Sequence, residues 1–231
     1  MELIITLFEW IGLISFALSG AMLAIQKEMD ILGVCVLGAI TATGGGIMRD
    51  LILGITPPAN LANPFPVLLT VGVSIIIFLP FFQRILSGRL HKIYEKLMLI
   101  ADSLGLGLFT VMGVNVVYKS MEKPTVFMCV LLGVITGVGG GVLRDILSNN
   151  KPYIFVKHFY ACAAIIGALV CVLLRPVNES LAAVVGACVI FGLRLLAAKY
   201  RWKLPKHRYS AKDLSEEDAE SQIEETKTLP R

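Results

Sequence analysis

Two arginine–aspartate pairs, Arg49-Asp50 and Arg144-Asp145, stand in stretches of sequence otherwise almost free of charge. Each pair follows a glycine triplet by two residues, as Gly44-Gly45-Gly46-Ile47-Met48-Arg49-Asp50 and Gly139-Gly140-Gly141-Val142-Leu143-Arg144-Asp145. A guanidinium can hold a carboxylate, and a carboxylate can hold a cation or an ammonium group. Glycine costs a helix interior about 1 kcal/mol relative to alanine, so a triplet predicts a break or kink that frees carbonyl ligands. Close helix packing by small residues is the other reading of the same glycines. Thr41 and Thr136, three residues before the triplets, could add hydroxyl ligands or simply bond back to their own helix. Glu9 and Asp102 are further acids in matching positions. They read as partners for Arg49 and Arg144, as cation-attracting groups at two mouths, or as plain interfacial residues.

Metal, cofactor and enzyme chemistry are not expected. His91, His158 and His207 form no cluster, and the five cysteines lie singly inside apolar stretches, as small packing residues. No P-loop, dinucleotide fingerprint, nucleophile elbow or zinc-protease motif is present in the sequence. An aspartyl dyad is disfavoured because Asp50 and Asp145 are expected on opposite sides of the membrane midplane. No catalytic residue is assigned, and no nucleic-acid partner.

The elements that must carry these groups follow from composition. The 231 residues are 56% hydrophobic and 16% charged, with a mean hydropathy of +0.76. A soluble domain of this size has about 45–50% apolar and about 25% charged residues. The charges cluster between apolar stretches of about 20 residues, the length that crosses a hydrocarbon core of roughly 30 Å. The chain reads as an all-α polytopic membrane protein. Seven apolar segments can be marked, at 3–25, 31–54, 65–83, 97–118, 125–147, 154–174 and 180–198. The first lacks a basic leader and runs on to Ile25, so it reads as a retained helix, not a signal peptide. Pro57, Pro58 and Pro152 read as stops.

Leu37–Leu51 aligns without gaps on Leu132–Ile146, with nine of fifteen positions identical. Upstream, Glu9, Gly12, Phe16 and Gly20 match Asp102, Gly105, Phe109 and Gly113. Each repeat holds three segments. Three is odd, so the second copy enters the membrane from the opposite side, an inverted repeat of the kind that places transport sites near the midplane. The expected division is 1–88 for the first repeat, 89–176 for the second, 177–200 for a seventh helix and 201–231 for a charged tail. With the second glycines at the midplane, each arginine lies about 6 Å from the centre. An ionised group that deep costs at least about 2.5–3.5 kcal/mol against lipid, so all four charges should face protein or water. Neighbours at i and i+1 diverge by about 100°, so Arg49 need not bridge Asp50 and each can reach a different helix; structural salt bridges locking the repeats together are the other reading of these charges.

Lysine and arginine counts set the orientation. One side receives Lys27, Arg84, Arg89, Lys92, Lys96, Lys151, Lys157 and the run Lys199, Arg201, Lys203, Lys206 and Arg208. The other keeps Lys119, Lys123 and Arg175. The expectation is N-terminus outside, C-terminus cytoplasmic. Arg194, near the cytoplasmic end, is expected to snorkel. The basic run can meet anionic headgroups or serve as a topology signal, and the acidic tail after it is expected to be loosely ordered.

The doubled Gly-Gly-Gly-x-x-Arg-Asp motif in two three-helix repeats, with a seventh helix, resembles the prokaryotic branch of the trimeric intracellular cation channels. That group includes bacterial inner-membrane proteins assigned as glycine importers, and the resemblance covers about residues 5–198. It implies a homotrimer in the inner membrane, with a water-filled hourglass pore in each protomer. The second and fifth spans would kink at the glycines and line it, and K⁺ or Na⁺ would pass. The animal members' basic lipid motif is absent, the fourth span reading Phe109-Thr-Val-Met-Gly-Val-Asn-Val-Val117. Phosphoinositide regulation is therefore not expected. Thr56-Pro57-Pro58-Ala59-Asn60 also departs from the aromatic loop expected after the first motif. Two functions stay open on these residues: a passive cation channel, and a carrier for glycine or another small amino acid. A membrane scaffold gives the intramembrane charges no purpose.

Overall fold

The computed structural model describes residues 2–79, 91–156, 159–200 and 202. The expectations for Arg84, Arg89, Lys157, His158, the boundary at 88, Arg201 and the tail from residue 203 lie outside these residues. Nine helices are described: α1 (Glu2–Gln26), α2 (Ile31–Ile52), α3 (Ala59–Ala62), α4 (Phe65–Phe78), α5 (His91–Ser120), α6 (Val126–Leu147), α7 (Tyr153–Val156), α8 (Tyr160–Leu174) and α9 (Glu179–Tyr200). No strand occurs among the described residues.

Every apolar segment read from the sequence corresponds to a helix, and among the described residues five of these, α1, α2, α5, α6 and α9, are long and apolar enough to cross a membrane. The third member of each repeat is shorter, at 14 residues in α4 and 15 in α8. The segment expected over 154–174 is divided. Phe159 takes a left-handed conformation (φ 64°) just ahead of α8 and separates it from the short α7. Exposed apolar side chains such as Leu3, Leu7, Trp10, Ile11 and Ile14 give α1 an outward face suited to lipid.

Local starts are set by capping. Asp30 Oδ1 accepts the Gly33 amide at 2.7 Å, and Thr125 Oγ1 accepts the Met128 amide at 3.2 Å. Two of the orphan donors at the starts of α2 and α6 are satisfied this way. The two motif helices therefore begin alike and run 22 residues each.

The halves pack with reciprocal contacts. A Cβ on Gly12 would lie 3.1 Å from the Phe109 ring, and one on Gly105 would strike the Phe16 ring. Phe16 and Phe109 meet between them with centroids 5.2 Å apart. Within each half, Gly20 abuts the Thr41 hydroxyl and Gly113 the Thr136 hydroxyl, both at 2.5 Å from the added Cβ. Where residue i of one half meets j of the other and the matched pair repeats the contact, the relation is an isologous two-fold. Phe16, Phe109, Leu13, Leu106, Ala42 and Val138 form the core on this dyad.

Candidate functional site

The glycine triplets mark the place where α2 crosses α6. A Cβ on Gly45 would collide with the Thr136 carbonyl oxygen, and one on Gly140 with the Thr41 carbonyl oxygen. A Cβ on Gly139 would come within 3.2 Å of Gly45 Cα. Both helices run unbroken through their triplets. The expected break with freed carbonyls is thus corrected: the backbone hydrogen bonds persist, and the missing side chains serve a close crossing. Gly44 faces Leu143 in the same contact. The threonines take the local alternative. Thr41 Oγ1 donates to Leu37 O and Thr136 Oγ1 to Leu132 O, both at 2.5 Å.

The arginine–aspartate pairs take the salt-bridge alternative. Arg49 Nε and Nη2 donate to Asp50 Oδ1 at 2.9 and 2.6 Å. Arg144 Nε donates to Asp145 Oδ1 at 2.9 Å. The 100° divergence of neighbours is overcome because the long guanidinium folds back, and burial leaves each charge in need of its opposite. The second carboxylate oxygens do something the sequence did not announce. Asp50 Oδ2 accepts the Ala59 amide at 2.9 Å, and Asp145 Oδ2 accepts the Tyr153 amide at 2.8 Å. Each aspartate therefore ties the end of its motif helix to the first residue of the short helix that follows.

The surroundings then diverge. Arg144 is fully buried. Its Nη1 donates to Asp102 Oδ1 at 2.7 Å and to Ser19 Oγ at 2.5 Å, and its Cζ lies 4.9 Å from the Tyr153 ring centroid. Asp102 is a charge partner, sealed inside, and not a mouth residue. Arg194 is also buried, with Nη2 3.6 Å from Asp102 Oδ2. The expected snorkelling is corrected: an anionic partner and the Tyr160 ring, 4.5 Å from its Cζ, hold the guanidinium inside.

In the first half, Glu9 is only partly buried, and no ion pair joins it to Arg49 among the described residues. The Arg49 side chain keeps 9% of its surface exposed. The third glycines face these groups. A Cβ on Gly46 would lie 2.9 Å from Asn60 Nδ2 and 3.9 Å from Arg49 Nη2. One on Gly141 would lie 3.0 Å from the Tyr160 hydroxyl and 3.8 Å from Arg144 Nη2. Tyr153 also lines a cavity of about 320 Å³, shared with Gln26, Glu95, Met98, Leu99 and Ala198. Its ring therefore lies at both the cavity and Arg144. Asn60, Ser19, Tyr153, Tyr160 and Arg194 were not expected at the site; for Ser19 and Asn60 no local spacing signals the role.

An all-helical bundle with matched halves, buried intramembrane charges and lipid-suited outer faces is a multi-pass membrane protein. A model of the glycine-transporter family matches residues 6–81 and 99–176. The UPF0126 inner membrane protein YadS of Escherichia coli (strain K12) is 33% identical over 198 residues, 84% of this chain and 92% of YadS. Among solved structures, a chain from a study of conductance through TRIC cation channels is 41% identical, with a TM-score of 0.77 over 89% of this chain and 98% of that one. A prokaryotic TRIC channel crystallised in 0.5 M KCl is 34% identical, with a TM-score of 0.81 over 88% of this chain and all of that one. The chain belongs to this family, which joins the UPF0126 membrane proteins to the prokaryotic trimeric intracellular cation (TRIC) channels.

Proposed function

We propose that the protein is a channel for monovalent cations, K⁺ among them, with one conduction path in each protomer of a homotrimer in the inner membrane. The observation that carries this reading is the 41% identity to the conducting TRIC relative across 89% of the chain. The path is lined by α2 and α6, with Thr41, Gly44, Gly45, Gly46, Arg49 and Asp50 on one side of the dyad. Thr136, Gly139, Gly140, Gly141, Arg144 and Asp145 stand on the other. The triplets supply the flexibility for a bend at the crossing, since glycine is the weakest helix former after proline. Exposed Glu95 on the 320 Å³ cavity supports a cation-attracting vestibule there. The repeats over 1–88 and 89–176, a seventh helix over 177–200, a tail over 201–231 and an outside N-terminus complete the reading. It has no catalytic step.

A second reading, a carrier for glycine, is favoured by the family model that matches the chain. Arg49 and Asn60 beside Gly46 could hold a carboxylate while Asp50 or Glu9 holds the ammonium. Purified protein in a planar bilayer separates the two. Unitary K⁺ current steps establish the channel. Saturable glycine counterflow in proteoliposomes, without such steps, establishes the carrier.

A further inference from the structure

Arg194 is 2% exposed, yet the path described above has no use for it. Its Nε and Nη2 have no hydrogen-bond partner, and neither has Asp102 Oδ2, 3.6 Å from Nη2. Buried charges held this way persist only when their sum is compensated. Here the sum closes: Arg144 and Arg194 stand against Asp102 and Asp145. Removing any one member leaves a net charge inside the protein.

The first half closes on a single pair, Arg49 against Asp50, although its motif is the same. The repeat spacing that pairs Gly20 with Gly113 places Met112 opposite Ser19, so no hydroxyl is available in the equivalent position. Counted from the helix starts, Phe65 stands where Tyr160 stands, so the phenol is missing too. Glu9 stands where Asp102 stands and lies within the field of Arg49, but no ion pair joins the two among the described residues. The helix that brings Arg194 belongs to neither repeat. Arg49 is consequently held by Asp50 alone among the ion pairs described, and it is the more exposed of the two motif arginines.

We infer that Arg194 is a positioning residue. By facing Asp102 Oδ2 it fixes Asp102 against Arg144 and makes the second Gly-Gly-Gly-x-x-Arg-Asp copy a rigid hub. The first copy, around Arg49 and Asp50, is then the one that rearranges during transport. Only this last clause rests on the transport reading. The seventh helix is accordingly a structural clamp on one half of a symmetric pair.

The test is amide hydrogen exchange of the full chain in lipid nanodiscs, with transport measured in parallel. In the unsubstituted protein, amides of residues 142–150 exchange at least about tenfold more slowly than those of 47–55, as local opening energies differ between a locked and a loose element. Arg194→Met removes that difference by accelerating 142–150 and sparing 47–55. Arg194→Lys keeps it, and Asp102→Asn combined with Arg194→Met restores most of it by returning the buried charge to zero. If Arg194→Met fails to fold, the lysine and double variants still decide. In whichever transport assay the protein is active, Arg194→Met lowers the rate per folded molecule and Arg194→Lys preserves it. Equal exchange in both copies overturns the inference, as does a uniform loosening of the whole chain that the double variant leaves uncorrected. Exchange is read without transport, so failure of the channel reading leaves this result legible.

Discussion

Gly45 and Gly140 each lie against a backbone carbonyl of the opposite motif helix, Gly45 on Thr136 and Gly140 on Thr41. A carbonyl cannot swing aside as a side chain can, so added volume here must push two helices apart. That relationship gives these glycines a steric meaning independent of helix propensity.

Gly45→Ala or Gly140→Ala should therefore destabilise by about 1–3 kcal/mol, the usual cost of overpacking. Gly72→Ala and Gly192→Ala are the controls, since nothing lies within 4 Å of an added Cβ at either. They should be neutral or stabilising, by up to about 1 kcal/mol from propensity alone. Thermal unfolding in detergent measures all four. Equal Tm changes at the crossing and control sites would defeat the steric account.

The two motif arginines should respond unequally to truncation. Arg144→Met leaves Arg194 alone against both Asp102 and Asp145 in a sealed site, and breaking a buried pair costs about 3–5 kcal/mol. Arg49→Met strands only Asp50, beside a side chain that already keeps 9% of its surface exposed. Its cost should be smaller, and the ranking can be read from the yield of monodisperse protein and its Tm.

Asp50→Asn should change transport more than folding. The amide oxygen can still accept from Ala59, while the charge beside Arg49 is gone. Current amplitude in a planar bilayer, set against Tm, gives the comparison. Unchanged current with a lowered Tm would make Asp50 a purely structural partner.

Gly105→Ala should be more harmful than Gly12→Ala, because its Cβ runs into the Phe16 ring where that of Gly12 only presses on Phe109. Trimming the ring with Phe16→Leu should recover part of the Gly105→Ala loss. Tm values for the two single variants and the combination would show this coupling, which is absent if the sites act additively.

Much of this architecture was legible because it repeats. The match of Leu37–Leu51 to Leu132–Ile146 announced the paired helices, and the offset of Gly12 and Phe16 from Gly105 and Phe109 announced their dyad. What could not be read was which polar groups the folding would bring together. Arg194 lies near the end of its apolar run, so depth along the helix suggested escape to water. Its burial depends on Asp102 and Tyr160, from two other helices, and one-dimensional spacing carries no record of that meeting. The fold-back of Arg49 onto Asp50 could not be told from a reach to another helix for a related reason: Cβ directions fix where a short side chain points, but not where a long flexible one ends. Identical motifs likewise gave no warning that Ser19 and Tyr160 would distinguish their environments.

At 15 residues, α8 is short for an apolar helix that would cross a bilayer. At 1.5 Å per residue it rises about 22 Å, well short of a hydrocarbon layer about 30 Å thick. Such a deficit is met by thinning the bilayer beside the helix or by drawing in the adjoining turn at Tyr153–Val156. Acyl-chain length in the host membrane thereby becomes a mechanical variable, pressing on the same segment whose first amide is bonded to Asp145.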